Sequence, residues 1–158
     1  MTPLFNRYNH MKPSSQLAGV AGEYFVAAEL SRRGFIASIT MRNTRGIDIL
    51  ATNSEAKKAV TIQCKSSRDR NKSWILSDKA EHFTSKNHYY VFVKLGTETE
   101  RPAYHIVPSK DVAKYVGNSH RTWLKGKKPD GGQRKDTAMR VFIDAEDKYL
   151  EKWELLGL

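Results

Sequence analysis

The sequence predicts an α/β fold: a central mixed β-sheet flanked by helices, with a C-terminal extension. Three observations lead there. Residues 46–50 (Gly-Ile-Asp-Ile-Leu) and 60–65 (Val-Thr-Ile-Gln-Cys-Lys) are rich in β-branched residues and stand either side of a polar break at 53–58, the pattern of an antiparallel hairpin. Residues 89–95 form a nearly continuous apolar β run, expected to be a central, buried strand. Residues 16–33, introduced by Pro13-Ser14-Ser15 and closed by Gly34 after Arg32-Arg33, carry the start and stop signals of a helix. An early hairpin joined to later strands by helical crossovers gives a sheet of mixed direction.

The 158 residues, 39% of them hydrophobic, suit one soluble domain with a real core. We divide them into an N-terminal arm at 1–13 and a single domain at 14–158, with a core at about 14–116 and a basic loop and helix at 117–158. Lys and Arg number 27 against 17 Asp and Glu, a formal charge of +10, which points to an anionic partner and first to nucleic acid. A single cysteine excludes an intramolecular disulfide and argues for a reducing setting. No apolar run approaches the ~20 residues that span a bilayer, so the expectation is a cytoplasmic protein.

In chain order, the first helix places Gly22, Glu29, Arg32 and Arg33 in one arc, read as its solvent face, with Glu29 and Arg33 spaced as an i,i+4 pair. Glu23 lies outside that arc beside Gly19, Val20, Ala27 and Leu30, an unusual place for a carboxylate. Gly19 and Gly22 would let the helix approach the sheet closely. Residues 35–39 read as a strand and 42–46 as a turn. After the hairpin, 66–74 reads as a basic polar loop ending in a core-anchoring Trp74. Ser77 or Asp78 would cap a short helix through Phe83. Residues 103–107 form a further strand, and Pro108-Ser109 starts a helix of about two turns ending near Gly117. Residues 120–135 read as a flexible basic loop, 139–143 as a strand, and 145–156 as an amphipathic helix, with Asp144 as its cap and Tyr149, Leu150, Trp153 and Leu156 as its apolar stripe.

Strand alternation sends Val60, Ile62 and Cys64 to one face of the second hairpin strand and Thr61, Gln63 and Lys65 to the other, with Asp48 on the partner strand. A core has no use for an acid, an amide and an ammonium in apolar strands, because burying them unpaired costs several kcal/mol. Two carboxylates, Asp48 and Glu23, together with the Gln63 amide and the Cys64 backbone carbonyl, form an oxygen-donor set suited to Mg²⁺. Lys65 beside such a cation could orient or deprotonate a water and stabilise charge on a phosphate. The sequence shows no P-loop, no zinc-type Cys/His spacing and no nucleophile with a partnered base, and the five histidines carry no assigned role.

Glu23 in an early helix, Asp48 in Gly46-Ile47-Asp48, and Gln63-Cys64-Lys65 fifteen residues on resemble the motif set of the PD-(D/E)XK nuclease superfamily. The segment 19–34, with Gly22-Glu23 and Leu30 ahead of Gly34-Phe35, is similar to the first helix of its resolvase-like and restriction-like members. The resemblance spans about residues 14–95. It implies a restriction-endonuclease-like core, Mg²⁺-dependent cleavage of DNA with Mn²⁺ as a substitute, and a homodimer or higher homo-oligomer. No proline precedes Asp48, and Gln63 stands where the motif has its second acid, so Glu23 supplies the carboxylate that Gln63 does not. On this reading Asp48 and Glu23 hold the metal with the Cys64 carbonyl, Gln63 binds metal or water, and Lys65 activates water. Arg45, Ser66, Arg68, Arg70 and Lys72 near the site, and Arg121, Lys125, Lys127, Lys128, Arg134 and Lys135 beyond it, are the expected DNA contacts. Two other readings stay open: a DNA-binding module that keeps the fold without cleavage, and a basic α/β domain whose polar residues form a structural network.

Overall fold

A computed structural model describes residues 14–41, 46–68 and 71–158. The arm at 1–13, Arg45 and Arg70 lie outside the described residues, as does most of the turn expected at 42–46. The chain runs α1 (Ser15–Arg32), β1 (Ile36–Ile39), β2 (Ile49–Thr52), β3 (Ala59–Ser67), β4 (Ser73–Ser77), a 3-10 turn (Asp78–Glu81), β5 (His88–Lys94), β6 (Ala103–Pro108), α2 (Ser109–Lys125), β7 (Met139–Ile143) and a second 3-10 turn (Trp153–Leu156).

The Ser14 hydroxyl accepts from the Leu17 amide and opens α1. At the other end Gly34 takes φ +88°, and the Gly34 and Phe35 amides return to the Ser31 and Leu30 carbonyls, a Schellman ending that turns the chain into β1. The β2–β3 hairpin is closed by Asn53, whose side chain accepts from the Lys57 and Lys58 amides.

The main sheet has the order β1-β2-β3-β5-β6, antiparallel throughout except for the parallel pair β3 and β5, so it is mixed as expected. Its first face carries Ile49, Ala51, Val60, Ile62, Cys64, Val91 and Val93, covered by Val26 and Leu30 of α1 and by Trp153 and Leu156 from the C-terminus. On the second face Tyr90 and Phe92 pack under Trp74, Leu76, Val112, Val116 and Phe142. Trp74 is buried, as anticipated, and its indole donates to the Val93 carbonyl at 3.1 Å.

Five local expectations are corrected. Half of the supposed solvent arc of α1 faces inward, while Arg32 and Arg33 are exposed as expected. Gly22 packs on β3, and Glu29 is only 5% exposed beneath the guanidinium groups of Arg101, Arg33 and Arg32 at 2.9, 3.0 and 3.3 Å, whereas Leu17, Tyr24 and Phe25 face out. The buried acid is compensated by a cation 72 residues away, which helix periodicity cannot reveal. Residues 73–77 form β4, which pairs with β7 in a separate two-stranded ribbon. The helix expected through Phe83 is a single 3-10 turn, and neither expected capping residue fills that role, since Ser77 makes no side-chain cap bond and Asp78 lies within the turn. Helix α2 continues to Lys125 rather than stopping near Gly117, because Gly117 is buried against the 3-10 turn beside Glu81.

The helix expected over 145–156 is absent. Asp144 accepts from the Lys148 and Tyr149 amides and bonds the buried His105 at 2.7 Å, while Asp147 and Glu151 adopt φ of +56° and +54°, which interrupts helical geometry. Its apolar residues serve the core all the same. Trp153 and Leu156 reach the first face, and Tyr149 packs against the second-face cluster. Among the described residues no helix is long and apolar enough to cross a membrane.

Candidate metal centre and nucleic-acid interface

The candidate site forms where β2 begins beside the middle of β3. Gly46 takes φ +63° as it leads into Ile47 and Asp48, and a β-carbon there would stand 3.4 Å from the Phe83 ring and 3.7 Å from the Gln63 side-chain oxygen. Asp48 is then fixed through its backbone. Its amide donates to the Ile62 carbonyl at 2.8 Å and its carbonyl accepts from the Thr40 amide at 2.9 Å. Thr40 adds a hydroxyl bond to the Ile47 carbonyl at 2.7 Å. The Asp48 carboxylate accepts from the Cys64 amide at 2.7 Å through one oxygen, which seats the acid against the strand segment between Gln63 and Lys65.

Burial pushes the Asp48 carboxyl above its ordinary value, and the Cys64 amide and the Lys65 ammonium pull it back. The Cys64 thiol reports on the whole group. Burial raises it first, the Asp48 and Glu23 charges raise it further, and Lys65 lowers it, so the thiol lies well above its usual range and is unsuited to act as a nucleophile. Both acids and the lysine of the expected set therefore lie within electrostatic reach of one buried side chain.

Glu23 is brought over β3 by Gly22. A β-carbon at Gly22 would lie 1.8 Å from the Ser66 hydroxyl oxygen, so only glycine allows α1 to sit this close to the strand, as expected for Gly22. Gly19 has nothing within 4 Å of that position and plays no such part. Glu23, Gln63 and Lys65 are each half-buried.

Among the described residues no three His, Cys, Asp or Glu side chains cluster to hold a metal ion. The available set is instead two carboxylates, an amide and a main-chain carbonyl. Its all-oxygen chemistry fits a hard cation, and Asp48, a desolvated anion with one oxygen committed to the Cys64 amide, is a group a cation would stabilise.

The expected DNA contacts divide. Arg68 is exposed. The Ser66 hydroxyl is enclosed under Gly22 with no hydrogen-bond partner, so it faces α1 and does not present itself to a phosphate. Lys72 is ion-paired with Asp147. Arg121 and Lys125 lie on α2, Arg121 bonding Asn118. The supposed flexible loop contributes the last turns of α2 and then an ordered turn, in which Lys127 bridges Gln133 and the Lys128 amide meets the Gly132 carbonyl at 2.8 Å. Arg134 lies over the Trp123 ring at 4.9 Å and donates to its carbonyl, while Lys135 is exposed. The motif reading missed Thr40, which bonds the Ile47 and Asp48 carbonyls, and Phe83, which walls Gly46. Neither stands in a spacing that could have signalled it.

Neither a family model nor a curated protein sequence matches this chain. Its structure is similar to that of the bacterial homing endonuclease I-Ssp6803I, with a TM-score of 0.54 covering 92% of each chain at 12% identity. The chain has a restriction-endonuclease-like fold. A second similar structure is Hjc, a Holliday junction resolvase from the archaeal hyperthermophile Archaeoglobus fulgidus, with a TM-score of 0.47 at 17% identity, covering 88% of this chain and 95% of that one. This restriction-endonuclease-like fold is a mixed sheet of five strands flanked by two helices, and at 92% coverage the likeness extends well beyond residues 14–95.

Proposed function

We propose that this protein is a Mg²⁺-dependent DNA endonuclease that hydrolyses phosphodiester bonds at a centre made of Asp48, Glu23, Gln63 and Lys65. The observation that carries the reading is the Asp48 carboxylate bonded to the Cys64 amide, which sets an acid between Gln63 and Lys65 in a nuclease-type fold. Asp48, Glu23 and the Cys64 carbonyl would hold the cation, with Gln63 as a further ligand to it or to its water. When bound, the ion supplies charge stabilisation at the scissile phosphate and lowers the pKa of water.

The chain's own groups do the rest. Lys65 orients the attacking water and takes up its proton or stabilises the charge that builds on the phosphate oxygens. Water oxygen bonds to phosphorus as the bond to the leaving sugar oxygen breaks, and the departing oxygen gains a proton. Half-burial of Asp48 keeps bulk water away from the acid, where fixed charges act more strongly. A homodimer would place two such centres on opposite strands of a duplex, and sedimentation equilibrium measures that part of the proposal.

The substitution of Gln63 for an acid, together with the lack of a three-acid cluster among the described residues, favours a second reading in which the protein binds DNA without cutting it. Supercoiled plasmid separates the two. The endonuclease reading expects nicking with Mg²⁺ or Mn²⁺, none with EDTA, and a loss of at least about 100-fold in Lys65→Ala. Binding by wild type with no cleavage of duplex, junction or single-stranded DNA in either metal would leave the binding module. Retained cleavage in both Lys65→Ala and Asp48→Ala would remove the site assignment.

A further inference from the structure

Helix α2 runs eight residues beyond its expected end, and the extension aligns side chains that no motif connects. At 100° per residue Lys110, Lys114, Arg121 and Lys125 fall within an arc of about 60°. All four are exposed, over roughly 22 Å of helix at 1.5 Å per residue. The row continues past the helix end into exposed Lys127 and Lys128. Between 109 and 129 the sequence has one acid, Asp111, whose carboxylate is engaged by the Tyr149 hydroxyl at 3.1 Å. Gly117 falls at the edge of the same arc and is buried under the 3-10 turn, so the row is two pairs, Lys110 with Lys114 and Arg121 with Lys125, on either side of Glu81, whose carboxylate is paired with Arg140. Among the described residues Lys110, Lys114, Lys125, Lys127 and Lys128 form no ion pair.

We infer that this face of α2, continued by the ordered turn after it, is a rail that follows the phosphate backbone of duplex DNA. The inference rests on the nuclease reading for its choice of partner and goes beyond it by naming the surface and the DNA form. Three observations support it. The apolar side of α2, through Val112 and Val116, is spent on the core, so the helix cannot use it to enter a lipid surface. A straight, rigid row of cations matches the stiff backbone of a duplex better than a flexible single strand. Single-strand binding relies on aromatic rings with a free face, and Trp123, next to the rail and 40% exposed, has its ring engaged by His120, stacked at 5.4 Å, and by Arg134. Arg134 acts here as a positioning residue. Its guanidinium ties the turn that carries Lys127 and Lys128 to the helix end.

The test measures binding of a labelled duplex and of a single strand of equal length by fluorescence anisotropy over a salt series, in EDTA. Lys110→Gln/Lys114→Gln is compared with Lys57→Gln/Lys152→Gln, which removes the same charge from exposed sites elsewhere. Wild type is expected to prefer duplex. The rail variant is expected to lower the slope of log affinity against log salt by about 1.8, near 0.9 for each lost phosphate contact, and the control pair to leave it nearly unchanged. Equal slopes for the two variants, or preference for single strands, would overturn the rail. Because binding is read without metal, wild-type cleavage with no slope change rejects the rail alone. The predicted slope change with no cleavage rejects the nuclease reading alone.

Discussion

A β-carbon at position 22 would lie 1.8 Å from the Ser66 hydroxyl oxygen and 3.1 Å from its β-carbon, so Gly22→Ala must push α1 away from β3. Over-packing of this kind costs about 1–3 kcal/mol, and urea denaturation should show it as a lower midpoint with an unchanged slope. Adding Ser66→Ala should restore part of the loss, since it removes the nearest atom, and alone it should be close to neutral because the hydroxyl is buried without a partner. His88 offers a test of a different kind. Burial lowers its pKa from 6.5 to about 4, so the folded protein holds it neutral while the unfolded chain takes up a proton below about 6.5. Its contribution to stability is therefore intact above about pH 6.5 and declines as the pH falls toward about 4, and thermal melts of wild type against His88→Gln should show that the variant has lost part of this dependence. At this scale the sequence was informative where chemistry is local. Asp48, Gln63 and Lys65 stood out as polar groups in apolar strands, whereas the Ser66 hydroxyl looked like a surface group until the helix above it was in view.

The ends of elements are held by residues far apart in sequence, and these ties explain why some elements were misjudged. Glu29 joins α1 to Arg101, before β6, and Arg101 and Arg33 both reach Glu151 near the C-terminus. Glu29→Ala should cost about 1–3 kcal/mol, less than an ion pair buried on both sides, because the released arginines can hydrate. Read along one helix, Glu29 and Arg33 form an ordinary surface pair; only the third partner makes the site an interior one. The segment 145–156 has helical apolar spacing, yet the Asp144 carboxylate binds two amides within it and two left-handed residues follow, so the same apolar side chains enter the core from turns. Trp153→Ala should cost about 3–5 kcal/mol, as for a core aromatic, because Trp153 is buried against the first face. The strands were legible because alternation and β-branching are local signals. β4 was not, because its short run depends on pairing with β7, some 65 residues later.

At the scale of the whole molecule, one face of the sheet is closed by α1 and the C-terminus, and the other is only partly covered by α2 and the β4–β7 ribbon, with Leu50 of β2 half exposed. Asp48 and β3 lie where the uncovered strands meet the covered ones, and Glu23 comes from the helix on the first face. The proposed centre is therefore a hairpin joined to one helix, with Glu23 restoring the carboxylate that Gln63 lacks. The most direct test is the Mg²⁺-dependent nicking rate of Glu23→Gln beside Asp48→Asn, measured at saturating DNA and with DNA affinity checked in EDTA. Each variant is expected to bind DNA as wild type does and to nick at least about 100-fold more slowly. Nicking at the wild-type rate by Glu23→Gln, with Asp48→Asn inactive, would contradict the helix contribution to the centre, and wild-type rates in both would contradict the centre itself.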